Sequence, residues 1–285
     1  MIAVKNYKFW FCTGSQDLYG DECLAHVAEH SGIIVDSLNK SGILPYEVVW
    51  KPTLITNELI RRTFNEANAD EECAGVITWM HTFSPAKSWI LGLQEYRKPL
   101  MHFHTQFNQE IPYDTIDMDF MNENQSAHGD REYGHMVTRM GIERKVIVGH
   151  WSDEKVVGRI AAWMRTAVGI MESSHVRVAR FADNMRNVAV TEGDKVEAQM
   201  KFGWEVDAYP VNELAEYVKA VPKGDITALV DEYYSKYTIL PEGREPEEFK
   251  RHVAVQAQIE AGLEKFLLEK DYHAIVTHFG DLGEL

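Results

Sequence analysis

The side chains able to do chemistry sit where apolar runs end. Lys8–Thr13 (KFWFCT) gives way to Ser15-Gln16-Asp17-Leu18-Tyr19-Gly20, and Gly75–Trp79 (GVITW) to Met80-His81-Thr82-Phe83-Ser84. Pro99–His104 (PLMHFH) leads into His104, Thr105, Gln106 and Asn108; later come Asp183-Asn184-Met185-Arg186 and His278-Phe279. Hydroxyls, amides and imidazoles beside apolar surface suit a small polyol, whose hydroxyls need paired donors and acceptors. If the apolar runs are parallel strands, these residues lie beyond their carboxyl ends, where open α/β sheets bind ligands.

Each group also has a plainer reading. Gly14-Ser15-Gln16-Asp17 could be only a helix-capping turn. His102 and His104, two apart, share one face of a strand and could be core histidines. Met185 and Phe279 are residue types of ordinary cores, and His278 could be a surface histidine at a strand end. The segment Phe120–Gly134 (FMNENQSAHGDREYG) is polar enough to be a solvated helix face, yet Gln125 and His128, three apart, are neighbours on it and could contact something outside the fold.

The elements that must position these groups follow from periodicity. Strands are expected at Lys8–Thr13, Tyr46–Trp50, Gly75–Trp79, Pro99–His104 and Lys145–Gly149. Helical patterns lie between them: about Asp21–Asn39, from Thr56 as N-cap, from Ser84-Pro85, about Asp119–Met140, and Ser152–Gly169. Continuous apolar strands such as GVITW suit a parallel strand covered on both faces. A second series begins at Val176–Phe181. It continues through Val188–Thr191 and a hairpin-like or loop stretch to Val206, then helices at Asn212–Lys219, Asp225–Tyr237 and Glu247–Glu269, and a strand at His273–Thr277. The predicted fold class is α/β: two doubly wound parallel-sheet domains in series, over residues 1–172 and 173–285. The second is expected to be incomplete, because the sequence stops just after a strand.

Composition narrows the partners. Of 285 residues, 45% are hydrophobic and 26% charged, which argues against disorder. The net charge of −15 repels phosphate backbones and anionic lipid, so neither nucleic acid nor membrane is an expected partner. Cys12, Cys23 and Cys73 form neither a disulfide framework nor a CxxC pair. With no secretory pattern in the opening residues, the expected location is the cytoplasm. There is no GxGxxG after the first strand, no GxxxxGK[ST], no HExxH and no GxSxG, and no spacing specifies a metal site.

Longer runs carry a resemblance. Thr13–Gly20 (TGSQDLYG), Trp79–Ser84 (WMHTFS), Pro99–Phe107 (PLMHFHTQF), Asp117–Gly134 (DMDFMNENQSAHGDREYG) and Arg180–Met185 (RFADNM) resemble the bacterial L-arabinose isomerase family. The resemblance runs from end to end of the chain but covers only the first ~60% of a typical member, as judged against multi-domain chain lengths. It implies N-terminal and central α/β domains, with a third, β-rich domain beyond residue 285. It also implies a cytoplasmic homohexamer with active sites between subunits, interconverting L-arabinose and L-ribulose and often D-galactose and D-tagatose. In that family a divalent ion, usually Mn²⁺, held by two glutamates and two histidines, stabilises an ene-diol while the glutamates move protons.

Carried over by position, Gln16, Leu18, Met185 and Phe279 resemble the pocket wall, and Phe83 a pocket aromatic. Gln125 and His128 resemble the pair that a neighbouring subunit donates. The family's metal-binding glutamates and histidines lie downstream, and Glu284 is not one of them by its motif context. The expectations are therefore no catalytic residue and no metal ligand in this chain, an aldose as small-molecule partner, and self-association into a trimer or hexamer. The 285-residue chain alone is expected not to isomerise. The competing expectation is a non-catalytic sugar-binding or assembly fragment.

Overall fold

Alternation along the first strand decides which helix covers which face of the sheet. In the computed structural model, which describes residues 5–283 and 285, Phe9 and Phe11 of β1 (Lys8–Gly14) point to one side and Trp10 and Cys12 to the other. The opening four residues and Glu284, both used in the sequence reading, lie outside the described residues. The chain divides into two units, the first ending at Met171 and the second spanning Glu172–Leu285.

In the first unit β1 is followed by α1 (Gly20–Lys40), β2 (Glu47–Leu54), α2 (Asn57–Ala69), β3 (Cys73–Met80), α3 (Ile90–Glu95) and β4 (Leu100–His104). Then come α4 (Met118–Glu123), α5 (Ser126–Arg139), β5 (Lys145–Val148) and α6 (Glu154–Ser173). All strands are parallel, in the order β2-β1-β3-β4-β5. Ile34, Val35 and Leu38 of α1 and Ile160 and Met164 of α6 pack with Phe9 and Phe11 on one face. Ile60 and Phe64 of α2, Leu93 of α3 and Tyr133 and Val137 of α5 pack with Trp10 and Cys12 on the other. This is the doubly wound arrangement. Fully buried side chains such as Phe9, Phe11 and Phe64 are each worth roughly 2–3 kcal/mol of transfer free energy.

Two boundaries confirm their chemical cause. The Thr56 hydroxyl accepts from the Leu59 backbone N–H at 3.2 Å, capping α2. The Asp117 carboxylate does the same for α4, accepting from Phe120 at 2.9 Å. The single helix expected over Asp119–Met140 is instead α4 and α5, broken at Asn124 and Gln125, whose backbones leave the helical region. The helix expected from Ser84-Pro85 begins as a 3-10 turn over Ala86–Trp89 before α3.

The second unit adds β6 (Arg177–Phe181), α7 (Lys195–Phe202), β7 (Glu205–Tyr209), α8 (Val211–Lys219), α9 (Lys223–Lys236), α10 (Pro246–Lys270) and β8 (Ala274–Thr277). Its sheet is parallel in the order β7-β6-β8. Ala179 and Phe181 pack with Val211, Leu214 and Val218 of α8 and Phe266 of α10. Val188–Thr191 is not extended but ends in a 3-10 turn, and the expected loop to Val206 contains α7 and the start of β7. Asp194 caps α7, accepting from Val196 and Glu197 at 2.9 Å, and Gly203 ends it with φ +76°. A Cβ at Gly203 would lie 2.5 Å from the Ser174 carbonyl oxygen, so glycine is required there twice over.

Candidate functional site

In the first unit, β1 and β3 are adjacent and parallel, so their carboxyl-terminal loops emerge together. Ser15 Oγ and Thr82 Oγ1 join those loops at 2.8 Å. The next residue, Gln16, is extended and heads a 3-10 turn over Asp17–Tyr19 without a side-chain capping bond. Leu18 in that turn is 82% exposed.

Phe83 follows Thr82, and its ring meets the His128 ring at 4.7 Å between centroids. Gln125 and His128 line one cavity of about 560 Å³ together with Gln106, Phe120, Met121 and Arg131. Gln125 is not on a continuous helix with His128; it sits at the N-cap position of α5, where its Nε2 donates to Asn122 Oδ1 at 3.2 Å. The chain break before α5 therefore turns Gln125 and His128 toward shared space. Gly129 seats this end of α5, since a Cβ there would lie 2.9 Å from Met80 Cβ and 3.1 Å from the Thr82 carbonyl oxygen.

In the second unit, β6 and β8 are neighbours, with Phe181 opposite Thr277. Met185 and Phe279 thus lie on loops leaving the same end of that sheet. The Met185 N–H donates to Thr191 Oγ1 at 3.2 Å. Around it, Arg180 donates to Asn184 Oδ1 at 2.6 Å, and Ala182 and Asn187 hold positive φ on either side of the Asp183–Arg186 segment. Phe279 is 75% exposed, beside the His278 ring. Within the first unit Phe83, Gln125 and His128 come together; within the second, Met185 and Phe279 share one sheet end.

The structure also assembles ionisable groups that the sequence reading did not combine. His102 and His104 do share a face of β4, and Asp130 of α5 meets both: His102 Nε2 lies 2.8 Å from Asp130 Oδ1, and His104 Nδ1 3.3 Å from Oδ2. Burial pushes His102 down to about 3 and lowers His104, and it pushes the Asp130 carboxyl up to about 7. A second group lies on the other face of the sheet. His30 Nδ1 of α1 is 2.7 Å from His81 Nε2 and 3.4 Å from Glu123 Oε1. Burial lowers His30 to about 4 and His81 to about 3, so both rings are neutral near pH 7. His26 and His30, four apart on α1, were the sequence signal for this group. Asp130 gave none, because its partners His102 and His104 lie on a separate element, the former 28 residues away by sequence.

Comparison with known proteins points one way. Residues 3–175 match the family model of the L-arabinose isomerase N-terminal domain, and residues 177–285 that of the L-arabinose isomerase central domain. The L-arabinose isomerase of Geobacillus stearothermophilus is 56% identical over 282 residues, which is 99% of this chain and 57% of that relative. That of Geobacillus thermodenitrificans is 55% identical over the same span, and that of Clostridium beijerinckii 54% over 279 residues, 98% of this chain and 56% of the relative. The chain thus spans little more than half the length of the curated relatives it matches.

Proposed function

The chain belongs to the L-arabinose isomerase family, and from that membership we propose that it supplies the sugar-holding walls of an aldose–ketose isomerase acting on L-arabinose. D-Galactose, which shares the same type of reaction, is the second substrate we propose. The observation that supports the reading best is the convergence at the carboxyl ends of β1 and β3. There the Ser15–Thr82 bond holds the loops of Gln16 and Phe83 together. Gln16 and Gln125 offer amides to sugar hydroxyls, and Phe83 offers an apolar face to a sugar's C–H surface. Met185 and Phe279, which share one sheet end in the second unit, are proposed as sugar contacts in their own right.

The manganese centre implied by the family needs two glutamates and two histidines. Among the described residues, the converging groups are His30, His81 and Glu123, and His102, His104 and Asp130. Neither has that composition, so no step of the isomerisation is assigned to them. We place the proton-transfer and metal-binding residues of the reaction outside these 285 residues, and the isolated chain is then a binder without turnover.

Self-association into a trimer or hexamer belongs to the same proposal. Support comes from the segment beside Gln125 and His128, where Ile111, Tyr113, Met118 and Met121 are more than half exposed, at 52, 81, 64 and 51%. No helix among the described residues is long and apolar enough to cross a membrane. The free thiols of Cys12, Cys23 and Cys73 support a reducing, cytoplasmic setting. Calorimetry with L-arabinose tests the binding role: saturable binding in the millimolar range, equal with and without Mn²⁺ and weakened in Gln16→Ala, is expected. Absence of saturable binding, or binding that requires Mn²⁺, contradicts it.

A further inference from the structure

We propose that His102, His104 and Asp130 form a binding site for one divalent transition ion of the zinc or cobalt type. This proposal stands whether or not the chain turns over a sugar.

His102 and His104 each turn one ring nitrogen toward the Asp130 carboxyl. The Thr78 hydroxyl lies 2.9 Å from His102 Nδ1 and 3.3 Å from the Met101 carbonyl oxygen, and when it donates to that carbonyl it accepts from Nδ1. In that tautomer the ring proton sits on Nδ1 and Nε2 presents a lone pair. That lone pair points at Asp130 Oδ1 from 2.8 Å. A positive centre joins these two groups, either a proton on the pair or a metal ion between them.

The protein supplies no permanent one at that point. The Asp130 side chain is 5% exposed and His102 fully buried. The nearby Arg144 guanidinium is engaged elsewhere, donating to the Gly134 carbonyl and the Thr138 hydroxyl. Without an ion, a proton shared by His102 and Asp130 satisfies that pair and His104 Nδ1, 3.3 Å from the other carboxylate oxygen, carries its own proton toward it; an ion takes the place of both protons.

A divalent ion answers all three groups at once. Metal–ligand bonds of about 2.0–2.2 Å in tetrahedral geometry set donor atoms roughly 3.3–3.5 Å apart. The donor atoms here all lie within 4.8 Å of one another, with two contacts at 2.8 and 3.3 Å, so side-chain shifts of about an ångström bring them to such separations. Thr78 already holds the far nitrogen of His102, the kind of contact that fixes the tautomer of a metal-bound histidine. His104 and Asp130 also line a cavity of about 530 Å³, with Gln106, Asn108 and His150, which leaves room for water or a ligand oxygen in the remaining positions. Two imidazoles and one carboxylate favour zinc, cobalt or iron over magnesium or calcium.

Cobalt(II) titration of the purified chain, followed by visible absorption, tests this. One saturable equivalent per chain is expected, weakened at least about tenfold in His104→Ala and in Asp130→Asn, in line with the loss of a ligand, and unchanged in His30→Ala. Circular dichroism selects variants that keep the fold. Ring-nitrogen NMR of the unsubstituted chain with zinc needs no variant: the His102 Nε2 and His104 Nδ1 signals should shift together at one equivalent. Absence of saturable binding, binding indifferent to His104 and Asp130, or shifts confined to other histidines would overturn the proposal.

Discussion

The Ser15 and Thr82 hydroxyls lie 2.8 Å apart, and this bond ties the loop after β1 to the loop after β3. Both side chains are buried, so neither hydroxyl can fall back on bulk water. The residues immediately following each, Gln16 and Phe83, are those proposed for the sugar wall.

Replacing Ser15 with alanine should therefore do two things. It should cost about 1–2 kcal/mol of stability, because the Thr82 hydroxyl keeps only a long 3.5 Å contact to the Phe83 carbonyl. It should also weaken L-arabinose binding severalfold by freeing the Gln16 loop. Urea unfolding and calorimetry measure the two, and the Ser15→Ala/Thr82→Val double variant should recover part of the stability but not the affinity.

Gly129→Ala should destabilise the first unit by about 1–3 kcal/mol, the usual cost of overpacking. The new methyl would sit 2.9 Å from Met80 Cβ and 3.1 Å from the Thr82 carbonyl oxygen. Since α5 must move away to make room, the Phe83–His128 ring contact should loosen, seen as loss of the cross-peaks between those rings.

Acid should destabilise the fold through the buried histidines. His81, held down to about 3, stays neutral in the folded chain, whereas its unfolded counterpart takes a proton near pH 6.5. Between those values the unfolded state binds more protons, so stability is present above pH 6.5 and falls as pH drops toward 3. The slope is about 1.4 kcal/mol per pH unit for one proton. His81→Gln should make the dependence of unfolding free energy on pH shallower by about one proton across pH 4–6. A dependence identical to that of the parent chain would contradict this.

Met121→Glu should shift the chain toward monomer in sedimentation velocity if the apolar segment beside the Gln125–His128 cavity is an interface. Met121 is 51% exposed and lines that cavity, so a charge there should disturb association more than folding. Unchanged association would move the interface elsewhere.

The sequence carried the parallel sheet of the first unit well, because strands such as Cys73–Met80 are buried on both faces and read as unbroken apolar runs. Thr56 was legible as a cap because a hydroxyl precedes an apolar stripe. Helix α7 was not: it buries no residue, so it has no stripe to read, and only its Asp194 cap and Gly203 terminus mark it. The break between α4 and α5 was hidden because Asn124 and Gln125 interrupt a pattern that is polar on both sides. The pairing of Asp130 with His102 and His104 depends on how α5 lies on the sheet, and periodicity in one segment cannot report a contact made by another.

The most direct test of the central claim is L-ribulose formation from L-arabinose by the purified 285-residue chain with Mn²⁺, set beside the L-arabinose isomerase of Geobacillus stearothermophilus. The account predicts no turnover above the enzyme-free background. Turnover comparable to that of the relative would contradict it, and would place a complete set of catalytic groups among these residues.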